Sequence, residues 1–192
     1  MRGVDDPDLA SAKAELREEL LAARRARSAD ELAAARSAVR DRVLARASAQ
    51  CVAAYVPLAT EPGSVGLLAA LVERGARVLV PVTLPDRDLD WAPWSSAGRG
   101  APLGRDAIAQ AGLVLVPALA VASDGTRLGR GGGSYDRALR RVPDGVPTAA
   151  LLFEDEVRSE LPRGPWDVPV SAAVTPDGWV ELGGNVDFPF RR

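Results

Sequence analysis

Apolar residues near the start of the chain recur at helical intervals. Leu9, Leu16, Leu20 and Leu21 fall among Ala, Glu and Arg, all good helix formers, and predict an amphipathic helix over residues 9–27. Ser28-Ala29-Asp30-Glu31 has the Ser-x-x-Glu form of a capping box, and Leu32, Val39, Val43 and Leu44 carry a second helical face to about Ser48. The chain is therefore expected to open with a helical hairpin.

The pattern then changes. Residues 51–56 form a short apolar run, followed by Pro57 and the turn-rich Thr60-Glu61-Pro62-Gly63-Ser64, and then an apolar helix over 65–74 with Gly75 placed as its C-terminal cap. Residues 77–82 and 113–117 are continuous Val/Leu runs of the kind that form strands buried on both faces. Strand, helix and strand joined by short connections imply a right-handed parallel crossover. A weaker strand is expected around Leu89-Asp90-Trp91, then a Gly/Ala/Pro-rich loop over 95–104. Runs at 148–153, 172–175 and 179–182 complete a mostly parallel sheet. No internal repeat and no clear linker divides the chain, so one α/β domain is expected over 1–192, with residues 1–8 and 184–192 as flexible tails.

Composition narrows the chemistry. At 192 residues, a single domain buries roughly 70% of its unfolded surface. There is no histidine, which removes Ser-His-Asp and Cys-His catalysis and imidazole metal sites. A lone cysteine, Cys51, excludes a disulfide framework and a thiolate zinc cluster. The net charge of −2 offers no basic field for nucleic acid. No signal-like or membrane-length apolar run occurs, so a cytoplasmic protein is expected. Chemistry is left to arginines, carboxylates, tyrosines, backbone amides, an oxygen-bound hard cation and Lys13, the one lysine among 24 basic residues.

The strongest local feature is Arg127-Leu128-Gly129-Arg130-Gly131-Gly132-Gly133-Ser134-Tyr135-Asp136-Arg137, which follows the 113–117 strand and leads into a helical stretch over 135–141. Glycines before a helix let backbone N–H groups approach an anion, and Arg127 and Arg130 add forked donors for phosphate oxygens. A plain glycine turn capped by Ser134 is the alternative. The loop lacks the Lys-Ser/Thr of a Walker A motif and the spacing of a Rossmann dinucleotide loop.

This segment, with the preceding residues 113–120 and Asp124-Gly125-Thr126, resembles the hallmark of the 5-formyltetrahydrofolate cyclo-ligase family. Lys13-x-x-x-Arg17, residues 55–61 and Asp167-Val168-Pro169-Val170 extend the resemblance over nearly the whole chain. It implies a three-layer α/β/α fold similar to the sugar-phosphate isomerase and CoA-transferase group. It also implies an ATP- and Mg²⁺-dependent enzyme that converts 5-formyltetrahydrofolate to 5,10-methenyltetrahydrofolate, ADP and phosphate. Its partners are expected to be these small molecules, with no nucleic acid and no membrane, and the chain is expected to be a monomer. A non-catalytic nucleotide- or folate-binding relative, or an ATP-using enzyme with another small substrate, are the alternatives.

Carried over by position, the resemblance makes Lys13 and Arg130 catalytic. It places ATP on Lys13, Arg17, Arg127, Leu128, Gly129, Arg130, Gly131, Gly132, Gly133, Ser134 and Tyr135. Asp136 and Asp167 become Mg²⁺ ligands, and Val56, Glu61, Trp94 and Tyr135 line the folate pocket. Each has a plainer reading. Lys13 and Arg17 would also suit a solvated helix face paired with Glu18 or Glu19, Asp136 and Glu61 suit helix N-termini, and Asp167 suits a turn before Pro169. Trp91, Trp166 and Trp179, with Tyr55 and Cys51, are expected in the core. The chain departs from the family pattern at Ser134, where an aromatic is usual, at Ser171, where an aspartate is usual, and at Trp166, where a histidine is usual.

Overall fold

In the computed structural model, which describes residues 7–183, the hairpin consists of α1 (Pro7–Ala26) and α2 (Ala29–Arg46). Pro7 occupies the first helical position, where its missing N–H is no loss. The helix thus begins inside the segment expected as a tail, while residues 1–6 and 184–192 lie outside the described residues. Ser28 Oγ accepts from the Glu31 N–H at 3.2 Å and Glu31 Oε2 accepts from the Ser28 N–H at 2.8 Å, the reciprocal bonds of a capping box.

After the hairpin come β1 (Cys51–Ala53), α3 (Val65–Glu73), β2 (Arg77–Thr83), β3 (Leu89–Ser95), β4 (Gly98–Arg99) and β5 (Leu113–Pro117). Beyond β5 follow β6 (Ala120–Ala122), β7 (Arg127–Leu128), α4 (Ser134–Leu139), β8 (Thr148–Leu151), β9 (Val157–Arg158), β10 (Ala172–Val174) and β11 (Trp179–Glu181). Eight strands form one sheet in the order β11-β10-β8-β5-β1-β2-β3-β4. The five from β10 to β2 are parallel, and antiparallel strands close both edges. The β1-α3-β2 unit forms the expected parallel crossover, with Val52 opposite Val78.

Alternation along these strands sorts side chains into two cores. Val52, Val78, Val80, Leu113 and Leu115 meet Leu67, Leu68 and Leu71 of α3 and Val39 and Val43 of α2 on one face. Ala53, Leu79, Val114 and Val116 meet Ile108 from the short 3₁₀ helix Arg105–Gln110 and Ala138 and Leu139 of α4 on the other. Three layers result, as expected from the resemblance.

A second small sheet, β7-β6-β9, was not foreseen, because strands of two or three residues leave almost no periodic signal. It receives α1: Leu20 packs on Leu119, Ala120 and Leu128. One turn further on, the buried Arg24 donates from Nε and Nη2 to the buried Glu156 carboxylate at 2.6 and 2.8 Å. Beside this sheet, Gly125 (φ +87°) accepts at its carbonyl from the Val170 N–H at 2.9 Å. A Cβ there would lie 2.4 Å from the Val170 carbonyl oxygen, so only glycine lets the 167–170 segment approach.

Candidate functional site

At the C-terminal ends of β5 and β2, a cavity of about 640 Å³ opens between α1, the glycine loop and the 164–167 turn. That volume is ordinary for a small-molecule site. Its walls come from distant parts of the chain. Lys13 and Arg17, one helical turn apart on α1, reach it because Leu20 and Arg24 anchor the same helix on the small sheet. Lys13 Nζ pairs with Asp167 across 154 residues of sequence, and Arg17 Nε donates to the Gly129 carbonyl oxygen at 2.9 Å. Neither residue sits on the solvated face with Glu18 and Glu19. Glu19 instead pairs with Arg158 at 3.2 Å.

Three cation–carboxylate pairs share the cavity. Lys13 holds Asp167, whose Oδ2 also accepts from the Gly164 N–H at 2.7 Å. Arg127 Nη2 donates to Asp136 Oδ1 at 2.8 Å, and the Val168 N–H reaches the same oxygen at 3.2 Å. Arg130 Nη2 lies 3.4 Å from Glu61 Oε1, while Glu61 Oε2 accepts from the Leu58 N–H at 2.9 Å. Glu61 and Arg127 are only 4% and 6% exposed, so one member of each of these last two pairs sits in a poorly screened setting. Each pair cancels its own charge, yet each cation stays within reach of an anion entering the cavity.

Gly133 forms the N-cap of α4 in a left-handed conformation and no side chain caps it, so the Ser134-capped turn is not what forms. At six residues α4 carries little dipole, and anion attraction here rests on the side chains and loop amides. Gly129 is needed for closeness: a Cβ there would sit 2.6 Å from Arg127 Nη1, on the guanidinium that holds Asp136. Tyr135 stands edge-on to the buried Trp91, ring centroids 6.4 Å apart. Its hydroxyl is buried without a hydrogen-bond partner among the described residues, and burial pushes the phenol well above its usual pKa against the opposing pull of Arg127. It is a neutral donor and acceptor available to a ligand.

Of the residues singled out in the sequence, Lys13, Arg17, Glu61, Asp136, Asp167 and all of 127–135 line the cavity. Val56 and Trp94 do not. Val56 is half exposed beyond the end of β1. Trp94 pairs with Val78 and packs on the α2/α3 face, because alternation along β3 turns it away from Leu89, which does line the cavity. Trp166, expected in the core, instead stands at the rim with 58% of its surface exposed. Its place immediately before Asp167 was the available signal.

Asp136 and Asp167 offer hard oxygen donors in one cavity. Among the described residues no cluster of three or more Asp, Glu, His or Cys is arranged to hold a metal by itself. That fits Mg²⁺, which commonly takes one or two carboxylates and completes its shell with phosphate and water oxygens.

Sheet, cavity and paired charges together define an α/β fold with a charged cavity of small-molecule size. The chain belongs to the 5-formyltetrahydrofolate cyclo-ligase family, whose model matches residues 9–176. It is 39% identical over 145 residues to the 5-formyltetrahydrofolate cyclo-ligase of Mycolicibacterium smegmatis, a match covering 67% of this chain and 75% of that protein. Its fold is similar to the 5,10-methenyltetrahydrofolate synthetase of Aquifex aeolicus, with a TM-score of 0.74, 23% identity and coverage of 94% and 97% of the two chains. The corresponding protein of Mycoplasma pneumoniae matches with a TM-score of 0.72, 21% identity and coverage of 85% and 98%.

Proposed function

We propose that the protein converts 5-formyltetrahydrofolate to 5,10-methenyltetrahydrofolate with ATP and Mg²⁺, releasing ADP and phosphate. The observation that carries this reading is the convergence of Lys13, Arg17, Arg127 and Arg130 with Asp136, Asp167 and Glu61 on one cavity. Family membership supports the reaction. The charge arrangement supports a triphosphate co-substrate.

In this reading the 5-formyl oxygen attacks the γ-phosphorus and ADP leaves, giving an imidate-like phosphate. N10 then attacks the formyl carbon and loses its proton, and the carbon–oxygen bond breaks as phosphate departs. The protein's part is positioning and charge neutralisation. Lys13 and Arg130 meet the transferring phosphoryl group, Arg17 and Arg127 the remaining phosphates, and the 129–134 amides lie along the chain of oxygens. Glu61 accepts hydrogen bonds from the amino and ring N–H groups of the pterin, and the neutral Tyr135 hydroxyl serves as a further polar contact. Asp136 and Asp167 would hold Mg²⁺ through their carboxylate oxygens. That ion supplies neutralisation of phosphate charge. No helix among the described residues is long and apolar enough to cross a membrane.

The test is to mix purified protein with 5-formyltetrahydrofolate and Mg²⁺ and then add ATP, following the near-ultraviolet absorbance of methenyltetrahydrofolate. A rise that requires ATP supports the proposal. No rise, with a known cyclo-ligase active alongside, overturns it.

A further inference from the structure

Contacts along the cavity run in a definite order. Glu61 meets Arg130; the Gly129 carbonyl next to Arg130 is held by Arg17; Lys13, one turn earlier on α1, meets Asp167; and Trp166 is the neighbour of Asp167 in the chain. The phosphate-seeking cations therefore separate Glu61 from Trp166.

Of the two aromatic residues that line this cavity, Tyr135 and Trp166, Trp166 is the more exposed. It is 58% exposed, whereas Trp91 is fully buried and Trp94 points to the opposite face of the sheet. A ring this large left open to water on a site rim loses apolar burial unless something covers it. Its backbone is nevertheless held: Arg140 Nη2 donates to the Trp166 carbonyl oxygen at 3.0 Å, and the Arg140 guanidinium lies 5.8 Å from the ring centroid. The adjoining turn is fixed by the Gly164 N–H bond to Asp167. A pinned backbone carrying an open indole is a stacking platform.

From this order we infer that Trp166 stacks against the adenine base of the nucleotide, with Arg140 lying beside it at the cavity rim. The inference rests on the ATP reading above and adds where the base lies. With the pterin at Glu61 and the phosphates along the cations, two aromatic groups remain to cover Trp166, the base and the p-aminobenzoyl ring of the folate, and the cations standing between Glu61 and Trp166 favour the base.

The experiment compares binding of ATP and of inorganic tripolyphosphate, each with Mg²⁺, to the parent protein, Trp166→Ala and Trp166→Phe by calorimetry, with steady-state KM values for both substrates. Loss of base stacking in Trp166→Ala is expected to weaken ATP roughly 5- to 100-fold. Tripolyphosphate, which has no base, should change by less than about twofold, and Trp166→Phe should retain most of the ATP affinity. The KM for ATP should rise and that for 5-formyltetrahydrofolate should not. Trp166→Ala binding ATP as tightly as the parent overturns the inference. So does an equal loss of ATP and tripolyphosphate, or a rise confined to the folate KM. A parent protein that binds neither triphosphate overturns the ATP reading itself, and this inference with it.

Discussion

The Arg24 guanidinium grips the Glu156 carboxylate through two hydrogen bonds of 2.6 and 2.8 Å, and its Nη2 also donates to the Ala118 carbonyl oxygen at 2.7 Å. The two residues lie 132 positions apart, and both side chains are almost fully buried. Glu156 Oε2 additionally accepts from the Phe153 N–H at 3.0 Å. This pair fastens α1, the helix that carries Lys13 and Arg17, to the wall of the cavity. Breaking a buried pair leaves an uncompensated charge, so Arg24→Ala is expected to destabilise the fold by about 3–5 kcal/mol. Urea unfolding measures it; a loss below about 1 kcal/mol would place the pair among ordinary surface bridges.

Lys13 sets a compact ammonium against the Asp167 carboxylate at the cavity wall. Lys13→Ala is expected to cut turnover more than tenfold, on the order of 2–4 kcal/mol of barrier, with unfolding little changed. Lys13→Arg should recover only part of the rate, because a planar fork does not replace a point charge. An alanine variant with parental kcat would remove Lys13 from the chemistry.

Asp136 is the carboxylate held by Arg127 and the Val168 N–H. If it also holds Mg²⁺ beside the phosphates, Asp136→Asn should shift the Mg²⁺ titration of activity to higher concentration, and a chelator should abolish turnover in parent and variant alike. A superimposable titration would contradict its role as a ligand.

Asp88, buried between β2 and β3, is held below its ordinary carboxylate pKa by the Arg141 guanidinium, by the Leu89 N–H and by Arg105. A depressed folded-state pKa contributes stability that is complete above the unfolded value, about 3.9, and is lost as pH falls through the folded value. The difference in urea midpoint between parent and Asp88→Asn should therefore be constant from about pH 7 to about pH 5 and shrink below about pH 4. A difference that grows on acidification would reverse the sign of this interaction.

The sheet could be read from the chain because β2 and β5 are unbroken apolar runs, buried on both faces, and no other element explains them. The capping box at Ser28 was equally plain, since both of its bonds are local. The β7-β6-β9 sheet was not readable, because its pairing is decided by tertiary contact with α1 and not by period. The same division holds in the site. The glycine loop announced itself as a motif, whereas nothing in local spacing couples Lys13 to Asp167 or turns Trp166 outward and Trp94 inward. The Lys13–Asp167 contact depends on the docking of α1, and which face of β3 meets the cavity depends on how that strand packs in the sheet; both are long-range properties of the fold.

On the proposed reading, this cavity couples cleavage of ATP to ring closure of the folate. Its most direct test is the ratio of ADP released to methenyltetrahydrofolate formed by the purified protein. The account predicts one ADP for each ring closed, with neither product appearing when ATP or 5-formyltetrahydrofolate is left out. Methenyltetrahydrofolate formed without ADP, or ADP released at the same rate without the folate, would contradict it.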